Sequence, residues 1–383
     1  MFQLPAKSDL RTQDIRFLVQ KLKGKISLNT LSFQSFFNPY LCSLMQKLEL
    51  FTQAVREALP EPKNIVITNH INPDGDAVGS ALALAALLQS EGHQVQVIMP
   101  NDYAANLKWL EGSDQVFIFA RQQAQSEQTL AMADVIFHLD YNSLKRSGPM
   151  QEALEKASAT KFVIDHHQQP EDFADALYSD TTMSSTCEMI YHFTVAMGWQ
   201  SKVSLAVAEA IYLGLVTDTG NFRFASTTSA THQAAAFLLE KGVNPGTLTS
   251  RIYDSNPPAR LRLLSRMLNR MEVQEELSAV ILSLEAKDFE ELGYEKGILE
   301  GFVNYGLSLQ GIEISVLAYP GAEGVKMSFR SKTTFDVNTF ARTYFNGGGH
   351  TNAAGALSPY KTLEETLSHL RKHLKDHQDE IPS

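Results

Sequence analysis

The sequence has few cysteines, no long apolar run and no excess of positive charge, and each lack excludes a class of protein. Cys42 and Cys187 are the two cysteines in 383 residues and stand far apart, which excludes a disulfide-stapled fold and a zinc–thiolate site. No apolar run reaches the roughly 18 residues that a membrane helix needs. We therefore expect a cytoplasmic protein, in a reducing compartment, without a membrane partner.

The charge balance limits the nucleic-acid partners. Binding to long nucleic acid without sequence preference needs many lysine or arginine contacts to phosphates. The formal net charge is −10, so we expect no long duplex nucleic acid as a partner. A small phosphorylated substrate held by metal ions and a few local cations is compatible with this charge.

Length and pattern predict an α/β protein with two domains, because 383 residues exceed the size of most single cores. Strand-like and helix-like segments alternate in the first part, which predicts βαβ units around a mostly parallel sheet. A helical linker and a smaller α/β domain follow. The predicted boundaries are 1–45 for an extension of unknown role, 46–242 for the first domain, 243–273 for the linker and 274–377 for the second domain.

Apolar runs predict the strands, and a period near 3.6 residues predicts the helices. The predicted strands are 64–68, 94–99, 116–119, 135–139 and 161–164, then 277–283, 311–318 and 325–330. The predicted helices include 77–90, 150–157, 185–197, 203–217 and 228–241, then 258–270, 296–307, 337–344 and 363–375.

The segment His70-Ile71-Asn72-Pro73-Asp74-Gly75-Asp76 holds one imidazole and two carboxylates directly after the apolar run 65–67. This position predicts a loop that leaves a buried strand and enters a helix. Carboxylates that repel one another are costly to gather in one loop unless a cation holds them. The segment therefore indicates a metal site.

Potential ligands follow two further strands. The run 135–139 leads into Asp140, the run 162–164 leads into Asp165-His166-His167, and Asp218 lies where an apolar helix meets a glycine turn. Ligands collect at the carboxyl ends of neighbouring parallel strands. Carboxylates and imidazoles without thiolate suit Mn²⁺, and also Mg²⁺, Fe²⁺ or Co²⁺, and their number fits two ions rather than one.

Each fragment alone has an ordinary structural explanation. A lone Asp-Gly-Asp is usually a turn, and Asp-His-His can be a loop with a capping aspartate. The occurrence of such groups at three separate strand ends favours the metal site.

A second group of chemically active residues lies near the C-terminus. Gly347-Gly348-Gly349 precedes His350, and the strand 325–329 ends in Arg330-Ser331. Consecutive glycines let backbone amides approach an anion, and a following helix would present its N-terminus to it. Although a triple glycine is more often a flexible turn, the nearby arginine offers a fork for phosphate, so we expect a phosphate site.

These motifs together resemble the DHH phosphoesterase superfamily with its DHHA1 domain, over about residues 60–375. The size is most similar to the nanoRNase group, oligoribonucleases that also dephosphorylate 3′-phosphoadenosine 5′-phosphate. The resemblance implies one Mn²⁺ on His70, Asp74 and Asp140. It implies a second on Asp76, Asp140, His166 and Asp218, with Asp140 bridging.

The same resemblance implies an active site in the cleft between the two domains, and it implies the remaining roles. His167 would face the scissile phosphate, and Asp165 would orient a histidine. The implied substrate-binding residues are Arg330, Ser331, Gly347, Gly348, Gly349 and His350.

Two alternatives stay open: a phosphodiesterase for pApA or cyclic dinucleotides, and a non-catalytic nucleotide sensor. A homodimer is expected from the fold class alone.

Overall fold

The structure is a computed structural model that describes residues 39–254, 256–294 and 297–382. The predicted extension, residues 1–45, lies outside these ranges up to residue 38. The first elements are α1 (Pro39–Ala58), β1 (Asn64–Thr68), α2 (Gly75–Ser90), β2 (Gln94–Met99), β3 (Phe117–Ile118), α3 (Gln123–Ala131), β4 (Val135–Leu139), α4 (Gln151–Lys156), β5 (Thr160–Asp165) and β6 (Ala176–Ser179). Helices α5 (Thr186–Met197), α6 (Leu205–Asp218) and α7 (Ser229–Glu240) follow.

These strands form one parallel sheet in the order β3-β2-β1-β4-β5-β6. Strand β1 and its neighbour β4 are buried along nearly their whole length, because helices and apolar clusters cover both faces. The chain order reverses between β1 and β4, which is where open α/β sheets place their ligand crevice. We call residues 64–240 the N-terminal region.

Helices α2 and α6 pack unusually closely in the N-terminal region, because glycines lie at their crossing. A Cβ added to Gly79 of α2 would lie 2.3 Å from the Ala210 carbonyl oxygen of α6, and one added to Gly214 of α6 would lie 2.5 Å from Asp76 Oδ1 of α2. Only glycine fits such a backbone approach. This packing holds the ends of β1 and α6 beside each other.

The second half begins with the helices α8 (Pro245–Tyr253) and α9 (Pro258–Asn269), which lie within the segment that the sequence predicts as a linker. The following elements are β7 (Glu272–Gln274), β8 (Ala279–Ser283), α10 (Ala286–Leu292), β9 (Ile314–Gly321), β10 (Gly324–Ser331), α11 (Val337–Phe345), β11 (Gly347–His350), β12 (Ala353–Leu357) and α12 (Leu363–Asp376). The strands form a mixed sheet in the order β11-β12-β10-β9-β8-β7. We call residues 272–382 the C-terminal region.

Most predicted elements are present, with ends shifted by no more than three residues, and the α/β class with two sheets is confirmed. The helix predicted for 296–307 is wrong within the described residues. A short 3₁₀ helix, Phe302–Ser308, replaces it, and Lys296 lies outside the described residues. Gly297 and Gly301 have φ of 86° and 77°, values that interrupt an α-helix. None of the helices that the structure describes combines the length and apolar character that a bilayer span requires.

Candidate functional site

The loop after β1 presents His70 with one ring nitrogen already in use. His70 Nδ1 donates to the Ile71 carbonyl oxygen at 2.8 Å, so Nε2 faces Asp140 at 3.3 Å and Asp74 at 3.9 Å. Asp74 caps helix α2 through Oδ1, which accepts from the Asp76 and Ala77 amides and leaves Oδ2 toward the histidine. A backbone bond at Nδ1 fixes the tautomer that metal-binding histidines require.

Asp140 follows β4 in a left-handed backbone conformation, with φ of 64°. Its amide donates to the Ile164 carbonyl oxygen at 3.1 Å, which pins the residue to β5. One carboxylate oxygen faces His70, and the other lies 3.5 Å from His166 Nε2. The buried carboxylate therefore lies between two imidazoles, as a ligand shared by two ions would need to.

His166, after β5, has the same design as His70. Its Nδ1 lies 3.3 Å from the Met183 carbonyl oxygen. Its Nε2 lies 3.8 Å from Asp76, 3.5 Å from Asp140 and 3.3 Å from Asp218. This buried atom makes no hydrogen bond with any part of the chain that the structure describes. An orphaned imidazole nitrogen among three carboxylates fits a metal ligand.

Six side chains thus form two clusters of three. Within each cluster the potential ligand atoms lie within 4.8 Å of one another. The clusters are His70, Asp74 and Asp140, and Asp76, His166 and Asp218. Their membership matches the two ion sites that the sequence resemblance implied, except that Asp140 belongs to the first cluster and not to the second. Asp140 also lies in a further group with Asp165 and His167. The identity of the ligands and the number of ions stay predictions.

Burial and mutual repulsion disfavour the ionised form of the aspartates in these clusters. Burial raises the pKa of Asp76 well above its ordinary value, and the charges of Asp140 and Asp218 raise it further. Burial also raises the pKa of Asp218, to about 6. Although burial alone would lower it, the neighbouring carboxylates of Asp140 and Asp218 hold the pKa of His166 well above its ordinary value. Divalent cations would relieve the repulsion among these carboxylates.

Helix α5 supplies contacts that the sequence interpretation missed. The amides of Thr186 and Cys187, in the first turn of α5, donate to the two oxygens of Asp76 at 2.7 and 2.8 Å. The Thr186 hydroxyl donates to Asp140 Oδ1 at 3.1 Å. One fully buried residue thus positions carboxylates of both clusters. The N-cap Ser185 with Glu188 three residues later marks the helix start in the sequence, but it does not identify these partners.

Asp165 and His167 form a pair beside the clusters. His167 Nδ1 and Asp165 Oδ1 lie 2.7 Å apart, and the His167 amide donates to Asp165 Oδ2 at 3.1 Å. Burial and the nearby Arg146 guanidinium hold the pKa of His167 well below its ordinary value. The sequence interpretation also missed Arg146. Its backbone carbonyl oxygen accepts a hydrogen bond from the Ile71 amide at 2.7 Å. The pair leaves His167 Nε2 for a reacting group.

In the C-terminal region, strand β10 carries Arg330 on its half-buried face. The neighbouring Ser331 is buried, and its hydroxyl donates to the Phe335 carbonyl oxygen and accepts from Asn352, both at 2.9 Å. Its bonds are therefore internal. These two bonds fix the Ser331 hydroxyl in the loop beside Arg330, and its contact with a substrate stays a prediction.

The glycine segment is an edge strand, and the expected loop leading into a helix is wrong. Residues 347–350 form β11, which pairs antiparallel with β12. Gly349 has φ of 154°, and an added Cβ would lie 2.3 Å from the Ala353 carbonyl oxygen. Its amide donates to Asn338 Oδ1 at 2.9 Å. The glycines permit a tight hairpin that presents His350 at its turn.

The two regions meet at the histidines. The His350 ring stacks on His167 with centroids 4.1 Å apart and lies 4.8 Å from the His166 ring. Gln168 Nε2 donates to Thr351 Oγ1 at 2.7 Å. The predicted phosphate-binding histidine is thereby brought against the two clusters of candidate metal ligands.

Two family models match the chain, one in each region. The model described as the DHH family, N-terminal domain, matches residues 64–215, and the DHHA1 domain model matches residues 276–376. The ligand clusters fall within or just after the first match, and Arg330 and His350 within the second.

Curated relatives and a solved structure resemble the chain over most of its length. It is 27% identical over 318 residues to the bifunctional oligoribonuclease and PAP phosphatase NrnA of Bacillus subtilis, covering 82% of this chain and 96% of that protein. It is 26% identical over 347 residues to the cyclic-di-AMP phosphodiesterase GdpP of Geobacillus thermodenitrificans, covering 89% of this chain and 51% of that protein. The crystal structure of an exopolyphosphatase-related protein from Bacteroides fragilis has a TM-score of 0.83 and 34% identity, covering 87% of this chain and 98% of that one.

Proposed function

The chain belongs to the DHH family with a DHHA1 domain and is a phosphodiesterase/phosphatase hydrolase, and from this premise we propose its substrates and site. They are short oligoribonucleotides, cleaved to mononucleotides, and 3′-phosphoadenosine 5′-phosphate, cleaved to AMP and phosphate. We also propose residues 46–242 and 274–377 as its domain boundaries and the cytoplasm as its location.

The observation that carries the proposal is the pair of candidate ligand clusters, whose histidines lie on either side of the Asp140 carboxylate. The clusters face Arg330 and His350 of the C-terminal region. His70, Asp74 and Asp140 would hold one ion, and Asp76, Asp140, His166 and Asp218 the other. Two Mn²⁺ ions are our choice, with Mg²⁺, Co²⁺ or Fe²⁺ as substitutes. Bound ions would neutralise charge on the phosphate oxygens and ease the deprotonation of water.

The protein's own groups would orient the phosphate and move protons. Asp165 holds His167 through Nδ1, so Nε2 would contact the reacting phosphate and stabilise charge or transfer a proton on the leaving side. Arg330 and His350 would bind a terminal phosphate across the cleft. Recognition of the end of the substrate explains how an acidic protein selects short chains without a basic track.

The experiment is a substrate panel with purified protein and Mn²⁺. The substrates are pApA, a pentaribonucleotide, 3′-phosphoadenosine 5′-phosphate, inorganic pyrophosphate and long single-stranded DNA, and the products are quantified by chromatography. We expect turnover of the first three. A preference for pyrophosphate or long DNA would contradict the proposal, and inactivity throughout would favour a nucleotide sensor.

A second candidate is a phosphodiesterase for pApA or cyclic dinucleotides. The likeness to the cyclic-di-AMP phosphodiesterase, which spans 89% of this chain, favours it. Adding cyclic di-AMP to the panel separates the two, because only the second candidate predicts faster cleavage of the cyclic substrate than of the pentaribonucleotide.

A further inference from the structure

A cavity of about 250 Å³ opens beside Arg330 in the C-terminal region. It lies between one face of the β9–β10 pair, which contributes Tyr319 and Ser328, and a segment that contributes Tyr294 and Glu300. Pockets for drug-sized ligands measure roughly 300–1,000 Å³. The cavity is therefore suited to one nucleoside and not to an oligonucleotide.

Strand register orders the groups along the cavity. Lys326, Ser328 and Arg330 all lie on the half-buried face of β10, at every second position. Tyr319 on β9 pairs with Lys326. Lys326 precedes Arg330 by four residues, so Tyr319 lies about 14 Å along the strands from the arginine. A cation therefore lies at one end and an aromatic ring at the other, with the serine between them.

The Arg330 end faces the metal-ligand clusters. The charges of Glu300, Asp218 and Asp74 act on the Arg330 guanidinium and oppose the fall in pKa that burial causes. The wall of the cavity also touches the N-terminal region, since a Cβ added to Gly297 would lie 3.2 Å from Ala104 Cβ. A phosphate bound between the clusters and Arg330 would have its nucleoside at the mouth of the cavity.

The far end is aromatic. The rings of Tyr294 and Tyr319 lie 5.5 and 6.1 Å from that of Phe289. Burial raises the pKa of Tyr319 to about 12, so its ring stays neutral at working pH. A neutral aromatic group at this end can stack with any nucleobase.

Glu300 lies close to Arg330 and would meet the sugar. Arg260 donates to the carbonyl oxygens of Ile298 and Glu300 and lies over the Phe302 ring at 4.7 Å, which fixes the backbone here. Burial and the Asp74 carboxylate raise the pKa of Glu300, and the guanidinium groups of Arg330 and Arg260 oppose this rise. In its ionised form the carboxylate only accepts hydrogen bonds, so it suits hydroxyl groups and repels a further phosphate.

We propose that this cavity is a subsite for one ribonucleoside of the substrate, with Glu300 accepting hydrogen bonds from the ribose hydroxyls and the tyrosines stacking on the base. The assignment rests on the proposed function, since it takes the bound phosphate to be that of a nucleotide. Because the 2′-hydroxyl distinguishes RNA from DNA, Glu300 would determine the preference for ribonucleotides.

The first test measures kcat/KM for pApA and for its 2′-deoxy analogue with Mn²⁺. In Glu300→Ala the ratio between the two substrates should fall roughly 10-fold or more, because a hydrogen bond to a charged group is lost. The matched control is Glu323→Ala, an exposed glutamate in the β9–β10 turn outside the cavity, in which the ratio should match wild type. An unchanged ratio in Glu300→Ala would overturn the ribose contact.

The second test measures AMP binding by calorimetry. Tyr294→Ala should weaken the affinity roughly 5- to 100-fold, the range for loss of one stacked base. The control Tyr305→Ala removes a tyrosine of similar exposure, 45% against 51%, that does not line the cavity. Unchanged AMP affinity in Tyr294→Ala would overturn the base position. Failure of wild-type protein to cleave either dinucleotide would overturn the proposed function instead, while AMP binding would still decide the cavity.

Discussion

The N-terminal and C-terminal regions prepare their share of the site in different ways. In the first, Asp76 and Asp140 are 0% and 1% exposed, and backbone or hydroxyl donors hold both carboxylates. In the second, Arg330 and His350 are half-buried on antiparallel strands. Metal ligands must be placed rigidly, whereas substrate contacts can adjust. Changes in the N-terminal region should therefore alter turnover and metal affinity, and changes in the C-terminal region should alter KM.

The largest effect is expected for Asp140→Ala. Losing the carboxylate that faces both histidines should lower kcat on pApA by roughly 100- to 1,000-fold or more, since a bound ion supplies several kcal/mol of charge stabilisation. Steady-state kinetics at saturating Mn²⁺ measure it, with the exposed Asp114→Ala as the control. A changed KM with a normal kcat in Asp140→Ala would contradict the expectation that changes in the N-terminal region alter turnover.

Gly214→Ala should destabilise the N-terminal region. The new methyl group would lie 2.2 Å from Cys187 Sγ and 2.5 Å from Asp76 Oδ1, and overpacking of this kind costs roughly 1–3 kcal/mol. Urea unfolding measures the free energy. Gly246→Ala, which brings its Cβ no nearer than 3.4 Å to another group, is the control and should be neutral. Equal stability in the two variants would contradict the tight packing around Asp76.

Thr186→Val keeps the shape of the side chain and removes its hydroxyl. Groups that orient metal ligands typically contribute roughly 10- to 100-fold to metal affinity, and we expect a loss at the lower end, because the Thr186 amide still bonds Asp76. Titration calorimetry with Mn²⁺ measures the affinity, and Thr186→Ser should restore it. If the Thr186→Val and Thr186→Ser variants bind Mn²⁺ equally well, the hydroxyl does not contribute to metal affinity.

The smallest effect is expected for His350→Ala. Burial and the neighbouring His167 and His166 hold the pKa of His350 well below its ordinary value, so it would contact phosphate as a neutral group. One neutral hydrogen bond corresponds to about 0.5–1.5 kcal/mol, or roughly 2- to 12-fold in KM. Kinetics on pApA measure this change. A fall in kcat as large as the rise in KM would place His350 with the catalytic groups instead.

The sequence predicted three of the candidate ligands because each follows a short apolar run that indicates a buried strand. His70, Asp140 and His166 all lie just beyond such runs, and parallel neighbours carry their ends to one edge. Local pattern was sufficient here, since each ligand's position depends on its own strand.

What escaped prediction depends on contacts between distant segments or on glycine. Thr186 bonds residues 110 and 46 positions away, and no local pattern encodes such a pairing. The hairpin at 347–357 was mistaken for a loop and helix because glycine favours no one backbone conformation. The cavity beside Arg330 depends on strand register, which the sequence alone does not set.

The stacked rings of His167 and His350 have a consequence for timing. With centroids 4.1 Å apart, the rings touch, and no phosphate fits between them. A nucleotide that is to reach both must enter while they are separated, and its products must leave the same way. The turnover rate would then depend on how often the two regions separate. Collective motions of this kind fall on the microsecond-to-millisecond scale. Turnover of a good substrate would slow in viscous solvent even though the bond-breaking step is untouched.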